Sequence, residues 1–209
     1  MAEDPQQSRF SSQYSDALNL AQRQFALESG CCIKDMATIT VVAATAAYSL
    51  PLDFLRARLV MHKGLPLEPI TKADLAYNNK GDRWDDNTGT PEYYNIETRE
   101  DKKYLTLYPI PTADDAGANL VLTYRYVPSD FSSDADTVFD GESMLGSYEN
   151  AVAIYAAWWL LGYNRQDVET IQKRSIMFKQ YQDKVTEAVE KFGDTKNAKM
   201  RIRGGRSWL

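Results

Sequence analysis

Apolar residues recur at helical spacing at both ends of the chain and at strand spacing between them. Phe10, Tyr14, Leu18, Ala21 and Phe25 fall four, four, three and four apart. That spacing predicts a helix over residues 10–28 with one stripe to bury, and Gly30 is placed to stop it. From about residue 37 to 127 the texture becomes short segments rich in β-branched and aromatic residues, punctuated by Gly, Pro and Asn/Asp. "TITVVAA" and "AAYSLP" read as strands, and "ARLVMHKG" as a strand running into the hairpin "GLPLEPIT". "TKADLAYN" reads as a short helix with Thr71 as its cap and Asp74 at the third position. "DRWDDNTGTPEYYNIE" reads as a polar loop leading into another strand. Leu105 and Leu107 alternate with Tyr104, Thr106 and Tyr108, while Leu120, Leu122 and Tyr124 alternate with Val121, Thr123 and Arg125. Two strands follow from this alternation, and they read as one hairpin. Its connection carries Pro109, Pro111, Asp114, Asp115 and Gly117, as in surface loops that make contacts.

Beyond "SDFSSDADTVFDGES" the helical period returns. Residues 151–161 are apolar on nearly every side, which predicts a central helix buried among neighbours and ended by Gly162. Asn164, with Asp167 three residues on, is predicted to cap a final helix over residues 165–192, about 42 Å long at ~1.5 Å per residue. Along it Ile171, Phe178, Val185 and Phe192 repeat at seven-residue intervals, while the companion series Val168, Ser175, Gln182 and Val189 is half polar. Such a helix either turns part of its surface to another subunit or packs on the first helix; periodicity does not choose. The predicted class is α+β: a helical bundle from the N- and C-terminal helices, an antiparallel β-rich middle and an extended C-terminal tail. The expected divisions are residues 1–35, 36–128, 129–192 and 193–209.

Charge singles out the last of these. The chain has 24 Lys+Arg against 29 Asp+Glu, a net −5. Residues 193–209 nevertheless hold Lys196, Lys199, Arg201, Arg203 and Arg206 against Asp194 alone. This +4 tail leaves about −9 on the remaining 192 residues. Three readings of it compete: a solvated, disordered end, contact with nucleic acid, and docking on a partner. Docking accounts for the most residues. "MRIR" alternates apolar with basic and can add a strand to a sheet, Gly204 and Gly205 allow a bend, and Trp208 and Leu209 can anchor in a pocket. The docking set is therefore Lys199, Arg201, Ile202, Arg203, Gly204, Gly205, Arg206, Trp208 and Leu209.

Catalytic patterns are sparse. One histidine, His62, serves the whole chain and reads as an edge-strand or loop residue. There is neither GxxxxGK[ST] nor GxGxxG. Adjacent Cys31 and Cys32 cannot form an ordinary disulfide with each other. With only His62 beside them they make no zinc site, and they read as small semi-buried residues after a helix. Asp82, Asp85 and Asp86, Asp114 and Asp115, and Asp134, Asp136 and Asp140 sit in turn-rich loops, where Asp is ordinarily a turn former. A glycosidase-like pair among them stays open, because sequence does not supply the separation of the carboxyl groups. Calcium at "DADTVFDGE" departs from the EF-hand spacing. No metal or cofactor is expected. The longest apolar run, residues 151–163, is short of a membrane span, and the start lacks a secretory pattern, so a cytosol-like compartment is expected.

One resemblance carries function. The succession "YSLPLDFLRARLVMHKGLPLEPIT", "TGTPEYYNIE", "LTLYPIPTADDAGANLVLTYRYVPSDFSSDADTVFD" and "YENAVAIYAAWWLL", over roughly residues 10–192, resembles the head-to-tail adaptor (connector) proteins of tailed bacteriophages. The resemblance implies a structural subunit of the virion neck, assembled in the host cytoplasm. It implies a homo-oligomeric ring, generally of twelve copies, beneath the portal protein and receiving the tail or a further neck protein. It also implies a channel passing the genome DNA without sequence-specific binding, C-terminal extensions reaching the portal, no membrane and no catalytic residues. Because some short-tailed relatives are credited with cell-wall hydrolysis, a peptidoglycan-cleaving hydrolase using two loop carboxylates remains an alternative, as does a tail-completion or tail-tube protein. An acidic body suits a channel wall that lets DNA slide.

Overall fold

A computed structural model describes residues 5–78, 86–133, 135–164 and 167–193. In chain order the elements are α1 (Pro5–Ser29), β1 (Ile33–Thr40), β2 (Ala47–Ser49), β3 (Phe54–His62), β4 (Leu65–Pro66), β5 (Glu68–Pro69), α2 (Lys72–Asn78), β6 (Tyr93–Arg99), β7 (Lys102–Tyr108), β8 (Asn119–Tyr126), α3 (Glu149–Asn164) and α4 (Val168–Phe192). The fold is α+β, with α1, α3 and α4 in a bundle joined to two four-stranded sheets around one core.

The bundle follows the 3.6-residue period. Leu18, Ala21 and Phe25 of the expected α1 stripe pack inward with Ala17, whose small side chain lets α3 approach closely. Tyr14, on the same stripe, is 54% exposed, because α1 runs past the core at its N-terminal end. The stop comes where expected: Gly30 takes φ 61°, and its N–H bonds the Ala26 carbonyl. A side chain there would be strained by the positive φ and would have to push aside the Arg125 guanidinium, whose carbon lies 2.5 Å from the Cβ position. On α4, Phe178, Val185 and Phe192 pack on the core as expected, but Ile171 is exposed. The true companion series is Tyr181 and Ala188, both fully buried, while Val168 and Val189 face solvent. Together these positions step by three and four residues, as a helix seam requires.

Two expected boundaries are corrected. Gly162 does not end α3, which continues to Asn164; instead the Arg174 guanidinium lies over Gly162, bonding the Trp158 carbonyl and stacking 5.1 Å from its ring. The cap of α4 is Asp167, not Asn164: its carboxylate accepts the Thr170 N–H at 2.8 Å and the Thr170 hydroxyl at 3.0 Å. Asp167→Ala should therefore cost about 1 kcal/mol, typical of a lost N-cap, and lower the urea midpoint without changing the slope.

In the sheets the expected hairpin between the two alternating strands does not exist. β7 lies between β2 and β6, and β8 between β1 and β3, in different sheets. Each is an interior strand of its own sheet, and Leu105, Leu107, Leu120 and Leu122 enter the one core from the two sides. The actual partner of β7 is β6, joined through Glu100 and Asp101 at φ 47° and 63°. That two-residue turn needs positive φ at both positions, for which Asn-Gly is the usual signal, so "ED" concealed it. β1 also starts at Ile33 rather than Thr38. A bulge at Asp35 and Met36 breaks its alternation, and residues 41–44 leave the strand. "ARLVMHKG" runs into a hairpin that turns at Lys63 and Gly64, but "GLPLEPIT" is not itself the hairpin, since its β4 and β5 lie in different sheets; Thr71 caps α2 as expected, accepting the Asp74 N–H at 3.1 Å. One pair, β5 with β6, is parallel over two residues.

Candidate functional site

The only histidine ends β3 on its inward face, opposite Leu120. It is 2% exposed, with β8 on one side and β4 on the other, so it is neither an edge nor a loop residue. Its Nε2 meets Asp115 Oδ1 at 3.2 Å. Asp115 closes a single 3₁₀ turn (Ala113–Asp115) capped by Thr112 and is fully buried, unlike an ordinary turn aspartate. It also accepts bonds from Lys63 Nζ at 2.7 Å and from the Thr112 hydroxyl at 3.1 Å. Burial pushes the Asp115 carboxyl up, but these hydrogen bonds outweigh it and hold its pKa well below the ordinary carboxylate value. An ionised Asp115 only accepts, so His62 donates through Nε2–H. His62 Nδ1 is buried without a hydrogen-bond partner. Structurally this is a clasp fastening the 109–118 connection to the β3–β4 hairpin.

A second polar framework holds the loop before α3. From one flank of α1, Asn19 Oδ1 accepts the Phe131 N–H at 2.7 Å. Buried Gln22 bonds both the Ser129 carbonyl and the Phe139 N–H, and Arg23 pairs with Asp130. Within the loop Asp136 is held at about pKa 2, first by the backbone N–H groups of Ser132 and Ser133 and then by their hydroxyls. The spacing of three and four residues on α1 was available in the sequence, but nothing distinguished these polar residues from solvated ones.

The other expected site residues are dispersed. Asp82, Asp85 and Asp134 lie outside the described residues, and Asp86, Asp114 and Asp140 are exposed. Every carboxylate shift resolved among the described residues, at Glu97, Asp115, Asp136, Glu169 and Glu187, is downward. A general acid for glycoside cleavage needs the reverse. No cluster of three His, Cys, Asp or Glu able to hold a metal occurs among the described residues. Cys31 and Cys32 are free and buried, their sulfurs 3.9 Å apart. Lys199, Arg201, Ile202, Arg203, Gly204, Gly205, Arg206, Trp208 and Leu209 lie outside the described residues, and Gly193 caps α4 just before them.

Apolar surface is conspicuous on the bundle. Leu20 and Leu27, seven residues apart on α1, are exposed, as are Val168, Ile171, Ile176 and Val189 on α4. Trp158, Trp159, Leu160 and Leu161 of α3, expected to be enclosed, are only half-buried. Large side chains so placed on neighbouring helices are typical of contact surfaces. Among the described residues no helix is long and apolar enough to cross a membrane.

Comparison with known proteins adds one finding: the family model for the SU10 adaptor protein matches residues 2–203. No curated protein matches the chain.

Proposed function

The chain belongs to the SU10 adaptor protein family, a phage head-tail adaptor family and so one of structural proteins, and from that premise we propose that it is a ring-forming connector subunit in the virion neck. The match over residues 2–203 carries this reading. The subunits form a closed ring, of about twelve copies on the family resemblance, beneath the portal protein, with the tail or a further neck protein below. The genome passes through without sequence-specific contact. Each protomer of a closed ring must offer two different faces to its neighbours. The unpaired apolar positions on α1 (Leu20, Leu27) and on α4 (Val168, Ile171, Val189) supply candidates on two separate helices. The net charge of the body favours repulsion of DNA over adhesion.

The basic tail, Lys199 to Leu209, is the element that grips the portal. Arg201, Arg203 and Arg206 supply charge complementarity and Trp208 with Leu209 the anchor, as in interfaces where a few aromatic and Arg residues carry most of the affinity. A chain lacking residues 199–209 should keep the circular dichroism of the full chain yet fail to co-sediment with portal. Undiminished co-sedimentation would remove the docking role from the tail.

A further inference from the structure

We propose that in the free subunit the C-terminal tail docks on its own chain, with Trp208 and Leu209 in the apolar groove between α1 and the 131–138 loop and Arg206 against the carboxylates beside it. The groove, of about 730 Å³, has an apolar floor of Tyr14 and Leu18 of α1 and Phe131 and Val138 of the loop, rimmed by four serines and Asp136. Its size is that of clefts that take ligands, with room for an indole and an aliphatic side chain together. Tyr14 belongs to the core-facing stripe of α1, yet it is 54% exposed because no described element covers it. An apolar occupant is what that position lacks.

Beside it lies a second depression of about 370 Å³, which shares Ser132 and Asp136 with the first and adds Asp130 and Asp140. The wall beside the groove carries three carboxylates: Asp130 pairs with Arg23, Asp136 accepts from Ser132 and Ser133, and Asp140 accepts the Ser129 N–H, and their summed negative charge is what a guanidinium would meet. In "GGRSWL" a guanidinium precedes an indole by two residues, the same order of features at short range. The charge match extends further. Between Tyr126 and Asn164 the chain has six acidic residues and no Lys or Arg, whereas residues 193–209 carry +4.

Reach also favours the same chain. Phe192, at the end of α4, contacts the Tyr148 ring at 6.1 Å; Tyr148 contacts Phe25 at 5.6 Å, and Phe25 contacts Phe139 at 5.6 Å. Phe139 adjoins Val138 of the groove. The Tyr148, Phe25 and Phe139 rings are buried, so the tail has to pass around them over the surface; the straight distance through them is under about 20 Å, and about twelve extended residues reach roughly 40 Å. Twelve residues separate Gly193 from Arg206.

On this inference a portal competes with the groove for the tail. Occupation of the groove is nonetheless a property of the isolated subunit and stands whether or not the portal is the eventual partner. The test is hydrogen exchange on the full chain compared with the full-chain variants Arg206→Gln and Trp208→Ala, neither of which removes an atom from the described core. Amides of residues 129–140 should exchange about fivefold more slowly in the wild type than in either variant. The effect should weaken in 0.5 M NaCl. The protection should be independent of protein concentration. Equal exchange in wild type and variants overturns the proposal. Protection that appears only where the measured mass is that of a dimer also overturns it, by giving the groove to the tail of a second copy.

Discussion

Phe25→Ala will remove about 3–5 kcal/mol of folding stability, the range for deleting a large buried aromatic. Few positions in the chain join as many elements. The Phe25 ring lies 5.6 Å from Phe139, 5.6 Å from Tyr148 and 6.0 Å from Tyr181. It thereby ties α1 to the turns preceding α3 and to α4, and it has no exposed surface. Its removal opens a cavity that none of these neighbours can fill easily. Tyr181 is held by its hydroxyl to Glu28 at 2.9 Å, and Phe139 by its backbone to Gln22. Against a total stability of about 5–15 kcal/mol, the loss will be visible as a large drop in the urea midpoint at unchanged slope. A loss below about 1.5 kcal/mol would mean that the surrounding rings close over the space, contrary to their anchoring.

Asp115→Ala will cost about 1–3 kcal/mol, the range for a buried donor left without its acceptor. Lys63, whose side chain is 43% exposed, can turn to water. His62, 1% exposed at its side chain, cannot, and its Nε2–H is left without an acceptor. The pH dependence has a definite sign. Asp115 has a folded pKa depressed below its unfolded value, so it contributes stability above the unfolded pKa of about 3.9 and loses it as pH falls through the folded value. Thermal melts of the wild type and Asp115→Asn, taken from pH 7 down to pH 2.5, should differ by a constant amount down to about pH 4 and converge below it. A gap unchanged at the lowest pH would show that the Asp115 carboxylate is not the group that titrates.

The two predictions differ in how far their residues were legible beforehand. Phe25 belongs to a stripe at four- and three-residue spacing, and its burial follows from that stripe. Asp115 looked like one more aspartate in a Pro- and Gly-punctuated connection, because the two residues that make it exceptional, His62 and Lys63, stand 53 and 52 positions away. The same limit explains the misread hairpin. Strands β7 and β8 each announce themselves by alternation, but alternation records which face is buried, not which strand lies alongside. The loop struts Asn19, Gln22 and Arg23 were invisible for a related reason: their partners lie 107 to 117 residues away.

What the chain by itself determined is local. The helices at both ends, the strand-rich middle, the Gly30 stop, the Thr71 cap and the charge contrast between body and tail all follow from periods of 3.6 and 2, from single-residue backbone preferences and from counting. Its ordered motifs also carried the family likeness. Only the tertiary structure decided which strands share a sheet, that His62 and Asp115 meet in the interior, and that the α1 stripe outruns its cover at Tyr14. These depend on which surfaces meet when two sheets and three helices close on one core, and that outcome belongs to the whole packing rather than to any window of sequence.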